Sequence, residues 1–95
     1  MQADDKKNLI EKQAILMQAI SSVIKEFVKN SGKSGRKISE EYDIGLGVIS
    51  KLERNIVNDV KISTLWKLAN ALDIKPNLLF DKICDNLPND FNFYE

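Results

Sequence analysis

The stretch KISEEYDIGLGVISKLER, residues 37–54, joins two short segments of helical apolar spacing through an aspartate and two of the chain's four glycines. Ile38 and Tyr42 lie four positions apart and Ile49 and Leu52 three apart, the repeat of a helix that buries one face. Between them Asp43 stands where a left-handed residue stops a helix, a conformation that Asp tolerates better than most non-glycine residues. Ile44 then plugs the turn. The spacing starts the next helix near Gly45, which can cap it, and leaves its first turn bare at Gly47. Glycine inside a helix costs about 1 kcal/mol relative to alanine. Bare backbone here implies either an exposed turn or the close approach of a ligand.

The remaining segments have the same character. From roughly Asp5 to Asn30, Leu9, Leu16, Ile20, Val23, Ile24 and Phe27 recur at spacings of three and four and give a long amphipathic helix. Its first dozen residues exceed what a small domain needs, so they either fray or pack against another chain. Ser31, Gly32 and Gly35 break this helix, and Ser34 is a good N-cap for a second one from Gly35 to Tyr42. That helix buries Ile38 and Tyr42, with the small Ser39 beside them. The third carries Ile49, Leu52 and Ile56 inward and ends around RNIVND. A fourth, Ile62 to Leu72, buries Leu65, Leu68, Ala69 and Leu72, with Trp66 in the core or at its edge. Pro76 opens a fifth, a favoured first-turn position, with Leu78, Leu79 and Ile83 inward. The tail FNFYE docks on something or hangs free. The expectation is an all-α, compact five-helix domain with an extended N-terminal helix.

Composition narrows the function. A chain of 95 residues makes one small domain. With no histidine, one cysteine and no carboxylate pair beside a nucleophile, it lacks the parts of a zinc site, a Cys/His or Ser/His couple, or a disulfide framework. It is therefore read as a non-enzyme without metal or cofactor. Cys84 is expected to be a small buried hydrophobe. No signal peptide or long apolar run is evident, so the expected location is the cytoplasm and no membrane partner is expected. Formal net charge is zero, but it is unevenly spread. Lys25, Lys29, Lys33, Arg36, Lys37, Lys51 and Arg54 outnumber the acids of the middle third, and acids prevail after residue 54.

Against this pattern, residues Gly35 to Arg54 resemble the helix-turn-helix of the lambda-repressor-like, Cro-type (XRE) DNA-binding family. Ile38, Tyr42, Ile44, Ile49 and Leu52 fall where that motif packs its helices together. Ser39 occupies its small position, and Asp43 its left-handed turn. The likeness continues through ISKLER, STLWKLANALDI and PNLLF and covers residues 16 to 83. The departures are specific. The family's first-helix arginine, partner of the recognition-helix glutamate, is Val28 here, so Glu53 needs another partner such as Lys25, Lys29 or Arg36. The N-cap serine before the fourth helix is Lys61. The outward positions of the recognition helix offer few hydrogen-bonding side chains.

The resemblance implies a sequence-preferring transcriptional regulator that places a recognition helix at about 45–54 in the major groove of double-stranded DNA while the second helix crosses the backbone. Base-facing positions are then Gly45, Leu46, Gly47, Val48, Ser50 and Lys51, where Leu46 and Val48 suit thymine methyls and only Ser50 and Lys51 are polar. Phosphate contacts fall to Lys33, Ser34, Gly35, Arg36 and Lys37 at the start of the second helix, and to Arg54. The alternative is a protein-interaction module, such as an antitoxin-like or adaptor protein, that keeps the scaffold. No small-molecule ligand is evident. The division is 1–15 as an extension of the first helix and possible dimerisation segment, 16–84 as the helix-turn-helix domain, and 85–95 as a tail. A homodimer is expected because Leu9, Ile10, Leu16 and Met17 form an apolar strip beyond the reach of the core.

Overall fold

The computed structural model describes residues 3–45 and 47–94. Within them the chain forms α1 (Ala3–Ser31), α2 (Gly35–Tyr42), α3 (Val48–Glu53), α4 (Ile62–Ala71) and α5 (Pro76–Asp85), with no strand. The all-α expectation holds. Every helix supplies at least one of the most deeply buried large side chains: Ile24, Ile38, Ile49, Leu52, Leu68 and Leu79. A single core results. α1 packs on α3 and α5, α2 on α3 and α4, and α4 on α5.

At the usual rise of about 1.5 Å per residue, α1 runs nearly the length of the molecule, whose longest extent is 44 Å. Met17, Ile20, Val23, Ile24 and Val28 lie on its buried side. This corrects the expected apolar strip: Met17 is a core residue and Leu16 packs against the core, leaving Leu9, Ile10 and Ile15 as the exposed apolar side chains of α1. Gln13 Nε2 donates to the Asn58 carbonyl at 2.6 Å and fastens this half of α1 to the α3–α4 loop.

Three helices end alike. Asp43, Asn55 and Asp73 take φ of 53°, 55° and 59°. The amides of the isoleucines that follow, Ile44, Ile56 and Ile74, donate to the carbonyls of Ser39, Lys51 and Ala69 at 3.0, 3.1 and 3.0 Å. A left-handed residue turns the next N–H back onto an otherwise unpaired carbonyl of the last turn. Ile44 is buried and Ile74 half-buried, so these two closures also place an apolar side chain on the core.

Four side chains depart from expectation, three of them for reasons of helical phase. Leu65, Leu68 and Ala69 face the core from α4, which turns Trp66 outward. Leu79 and Ile83 do the same in α5, leaving Leu78 and Cys84 exposed. Ile56 is exposed because α3 has ended at Glu53 and Asn55 reverses the chain before it. The tail turns at Pro88, whose carbonyl accepts from the Phe91 amide at 3.0 Å. The Phe91 and Phe93 rings meet edge to face, 5.5 Å between centroids, beside an apolar groove that α1 lines with Leu16 and Ile20. The tail therefore runs beside α1, with Phe91 half-buried and Phe93 and Tyr94 exposed.

Candidate nucleic-acid interface

α2 begins where Ser34, in extended conformation, accepts the Lys37 amide on Oγ at 3.1 Å. It ends at left-handed Asp43, and the chain turns into α3. Two side chains fix α3 against the core, Ile49 and Leu52, both essentially fully buried. The same rotation leaves Ser50 and Lys51 exposed. Ser39 is buried, as the meeting of two helices requires.

The two glycines of the opening stretch have distinct reasons. Gly47 has φ +92° and is the N-cap of α3, so the helix starts at Val48 rather than near Gly45. A left-handed residue cannot continue a right-handed helix, and only glycine holds that φ without strain. Nothing lies within 4 Å of where its Cβ would stand, so its backbone, not crowding, demands glycine. At Gly45 the carbonyl accepts the Val48 amide at 3.0 Å, and an added Cβ would meet Val48 Cγ2 at 3.2 Å. Gly35 is a second tight position: a Cβ there would stand 3.1 Å from Ile49 Cγ2 and 3.7 Å from Glu53 Oε1. α2 and α3 approach as closely as they do because Gly35 has no side chain.

Between these helices lies a groove of about 540 Å³ bordered by Gly35, Arg36, Ser39, Gly47, Ser50 and Glu53. Arg36 and Lys37 project from α2, paired along the helix with Glu40 and Glu41 at 3.4 and 3.8 Å. Such exposed pairs contribute little to stability and leave both cations available to an anion. Arg54 folds back, its Nε donating to the Ser50 carbonyl at 3.4 Å. Glu53 has no ion pair among the described residues, so none of Lys25, Lys29 or Arg36 takes the part expected of it. Its carboxylate instead stands beside the first residue of α2, where the helix dipole favours negative charge.

Two expected site residues are engaged elsewhere. Lys33 donates to the Ala71 carbonyl at 2.6 Å and lies 3.8 Å from Asp73, clamping the α1–α2 connection to the end of α4. Val48 is half-buried against the core. Leu46 lies outside the described residues. One contributor escaped the sequence reading: Lys67 of α4 donates to the Asp43 carbonyl at 3.1 Å and ties α4 to the turn between α2 and α3.

A model of the helix-turn-helix family matches residues 24–79, more than half of the chain. The chain belongs to the lambda-repressor-like, Cro-type helix-turn-helix family. No curated protein and no solved structure matches it. The matched span runs from Ile24 to Leu79, two of the most deeply buried core residues. α4 takes Lys61 at its N-cap with no side-chain hydrogen bond, as the departure at that position anticipated. Among the described residues no cluster could hold a metal ion, and no helix is long and apolar enough to cross a membrane.

Proposed function

We propose that this chain is a sequence-preferring transcriptional regulator of the cytoplasm, working as a pair of copies that each insert α3 into the major groove of double-stranded DNA. The observation that carries the reading is the division of α3: Ile49 and Leu52 are locked in the core while Ser50 and Lys51 next to them are exposed. A helix held on one side and polar on the other, at a left-handed turn, is the form in which this motif meets base edges. Ser50 and Lys51 read bases, and Gly45, Gly47 and the exposed part of Val48 border them. Arg36 and Lys37 take phosphates at the start of α2, aided by Ser34, Gly35 and Arg54. Lys33 contributes less, since its ammonium is already bonded.

With few hydrogen-bonding readers, affinity comes mainly from phosphates and depends steeply on salt. Selection of bound duplexes from a random pool, followed by titration at two salt concentrations, tests this. The expected result is an enriched motif with a two-fold repeat, and a log–log salt slope near −0.9 for each phosphate neutralised. An unenriched pool together with salt-independent binding sinks the reading and leaves a protein-interaction module.

A further inference from the structure

The apolar groove beside the tail shares no border residue with α2 or α3. It measures about 430 Å³, within the range that holds a small organic ligand. Its base is the core itself, since Met17, Ile20, Leu65 and Ile83 are buried and yet border it. Phe80 of α5 and Phe91 and Phe93 of the tail stand along its rim, the last two fixed edge to face. The lining is gathered from separate stretches of chain between positions 13 and 93, so no local pattern in the sequence announces it.

The polar end of this groove is anionic. Among the described residues that border it, Asp59 is the only charged one. The Val60 amide donates to Asp59 Oδ1 at 2.9 Å and orients the carboxylate, whose Oδ2 makes no ion pair among the described residues. Next to it Gln13 is held by the bond from Nε2 to the Asn58 carbonyl, at 2.6 Å, which leaves its Oε1 as a further acceptor. The phenylalanine rings add the negative faces of their π systems.

We propose that this groove binds an organic ammonium, with the protonated amine at Asp59 and Gln13 and an apolar body about the size of a naphthyl group along the three phenylalanines. Charge selects the class. A carboxylate-bearing ligand such as a fatty acid would set like charges together and finds no cation at this border. A neutral apolar molecule gains burial alone. An ammonium gains the same burial, an ion pair with the oriented carboxylate and a cation–π contact, which is worth about 0.5–1 kcal/mol at an exposed site. Asp59 and Val60 belong to the loop that follows α3, so the occupant touches the segment through which α3 joins α4. The site borders no residue assigned to DNA and stands or falls separately from the regulator reading.

Cys84 is the only cysteine of the chain, is exposed and borders the groove, so its alkylation reports occupancy. Naphthylmethylamine, naphthylmethanol and naphthylacetate share one apolar body and differ in charge. Each is titrated calorimetrically into the full chain without DNA, and the rate at which iodoacetamide labels Cys84 is followed by mass spectrometry. The amine should bind most tightly and the acetate least, with labelling slowed in step with saturation by the amine. Asp59→Asn keeps an oxygen for the Val60 amide and removes the charge, at an exposed position where the fold does not depend on it. It should weaken the amine about fivefold and leave the alcohol unchanged. No binding of the amine below millimolar concentration overturns the proposal. So do equal affinities for the three probes, an Asp59→Asn variant that binds the amine as the parent does, or labelling indifferent to bound amine. A Cys84 already shielded in the ligand-free chain and released on dilution overturns it too, since a second copy would then fill the groove.

Discussion

The Lys67 ammonium donates to the Asp43 carbonyl at 3.1 Å, so a side chain of α4 holds the turn that sets the angle between α2 and α3. Lys67→Met keeps the stem and removes the donor. It should cost roughly 0.5–1.5 kcal/mol of stability, the usual net worth of one such bond. Duplex affinity should fall while the salt slope stays as in the parent, because the residue acts through the turn and neutralises no phosphate. A slope reduced by one unit would reassign Lys67 as a phosphate contact.

For the groove residues the outcome differs. Arg36→Ala should weaken binding to all sequences alike and lower the salt slope by about one, and Lys51→Ala should also relax preference at one position of the site. Lys33→Ala should lower the melting temperature more than the affinity, since Lys33 bonds Ala71 and Asp73 within the protein. Anisotropy titrations and thermal melts on the three variants sort them.

Two glycines should fail for unlike reasons when changed to alanine. Gly47→Ala places a side chain at φ +92° and should cost about 1–2 kcal/mol through backbone strain, even though the space around it is open. Gly35→Ala pushes a methyl to 3.1 Å from Ile49 Cγ2, on a side chain too buried to move aside, and should cost about 1–3 kcal/mol through overpacking. Amide exchange separates the mechanisms: Gly47→Ala should loosen the start of α3, and Gly35→Ala the whole α2–α3 contact.

Ser39→Leu inserts bulk at a buried position on α2 and should destabilise by roughly 1–3 kcal/mol. An unchanged melting midpoint would place Ser39 outside the helix contact.

Asn55→Gly, by contrast, should stabilise. Glycine removes about 1–2 kcal/mol of left-handed strain at φ 55° and returns roughly half of it as extra backbone entropy in the unfolded chain. A gain near 0.5–1 kcal/mol in denaturant melts is expected.

Much of this fold was legible in the residues. The approximate bounds of α2 agree with the structure because Ser34 and Asp43 carry cap chemistry that acts locally. The same Asx-Ile signal recurs at Asn55-Ile56 and Asp73-Ile74, and reading it three times instead of once would have ended α3 before Ile56. Gly47 misled because a glycine's φ has no side-chain signature. Trp66, Leu78 and Cys84 misled because an apolar residue beside a buried one shares its neighbourhood in sequence but not its face. The partners of Lys33 and Lys67 lie 38 and 24 residues away, and no local pattern announces a carbonyl at that distance.

With only six residues, α3 is shorter than the dozen or so that an isolated helix needs to hold its shape in water. It owes its conformation to Ile49 and Leu52 in the core and to the left-handed hinges on either side. The proposed DNA-reading surface is consequently not a portable cassette. A synthetic peptide of residues 35–54 would be a coil, and retargeting this protein by exchanging α3 for another six residues requires that the replacements at 49 and 52 satisfy a core built largely by the other four helices.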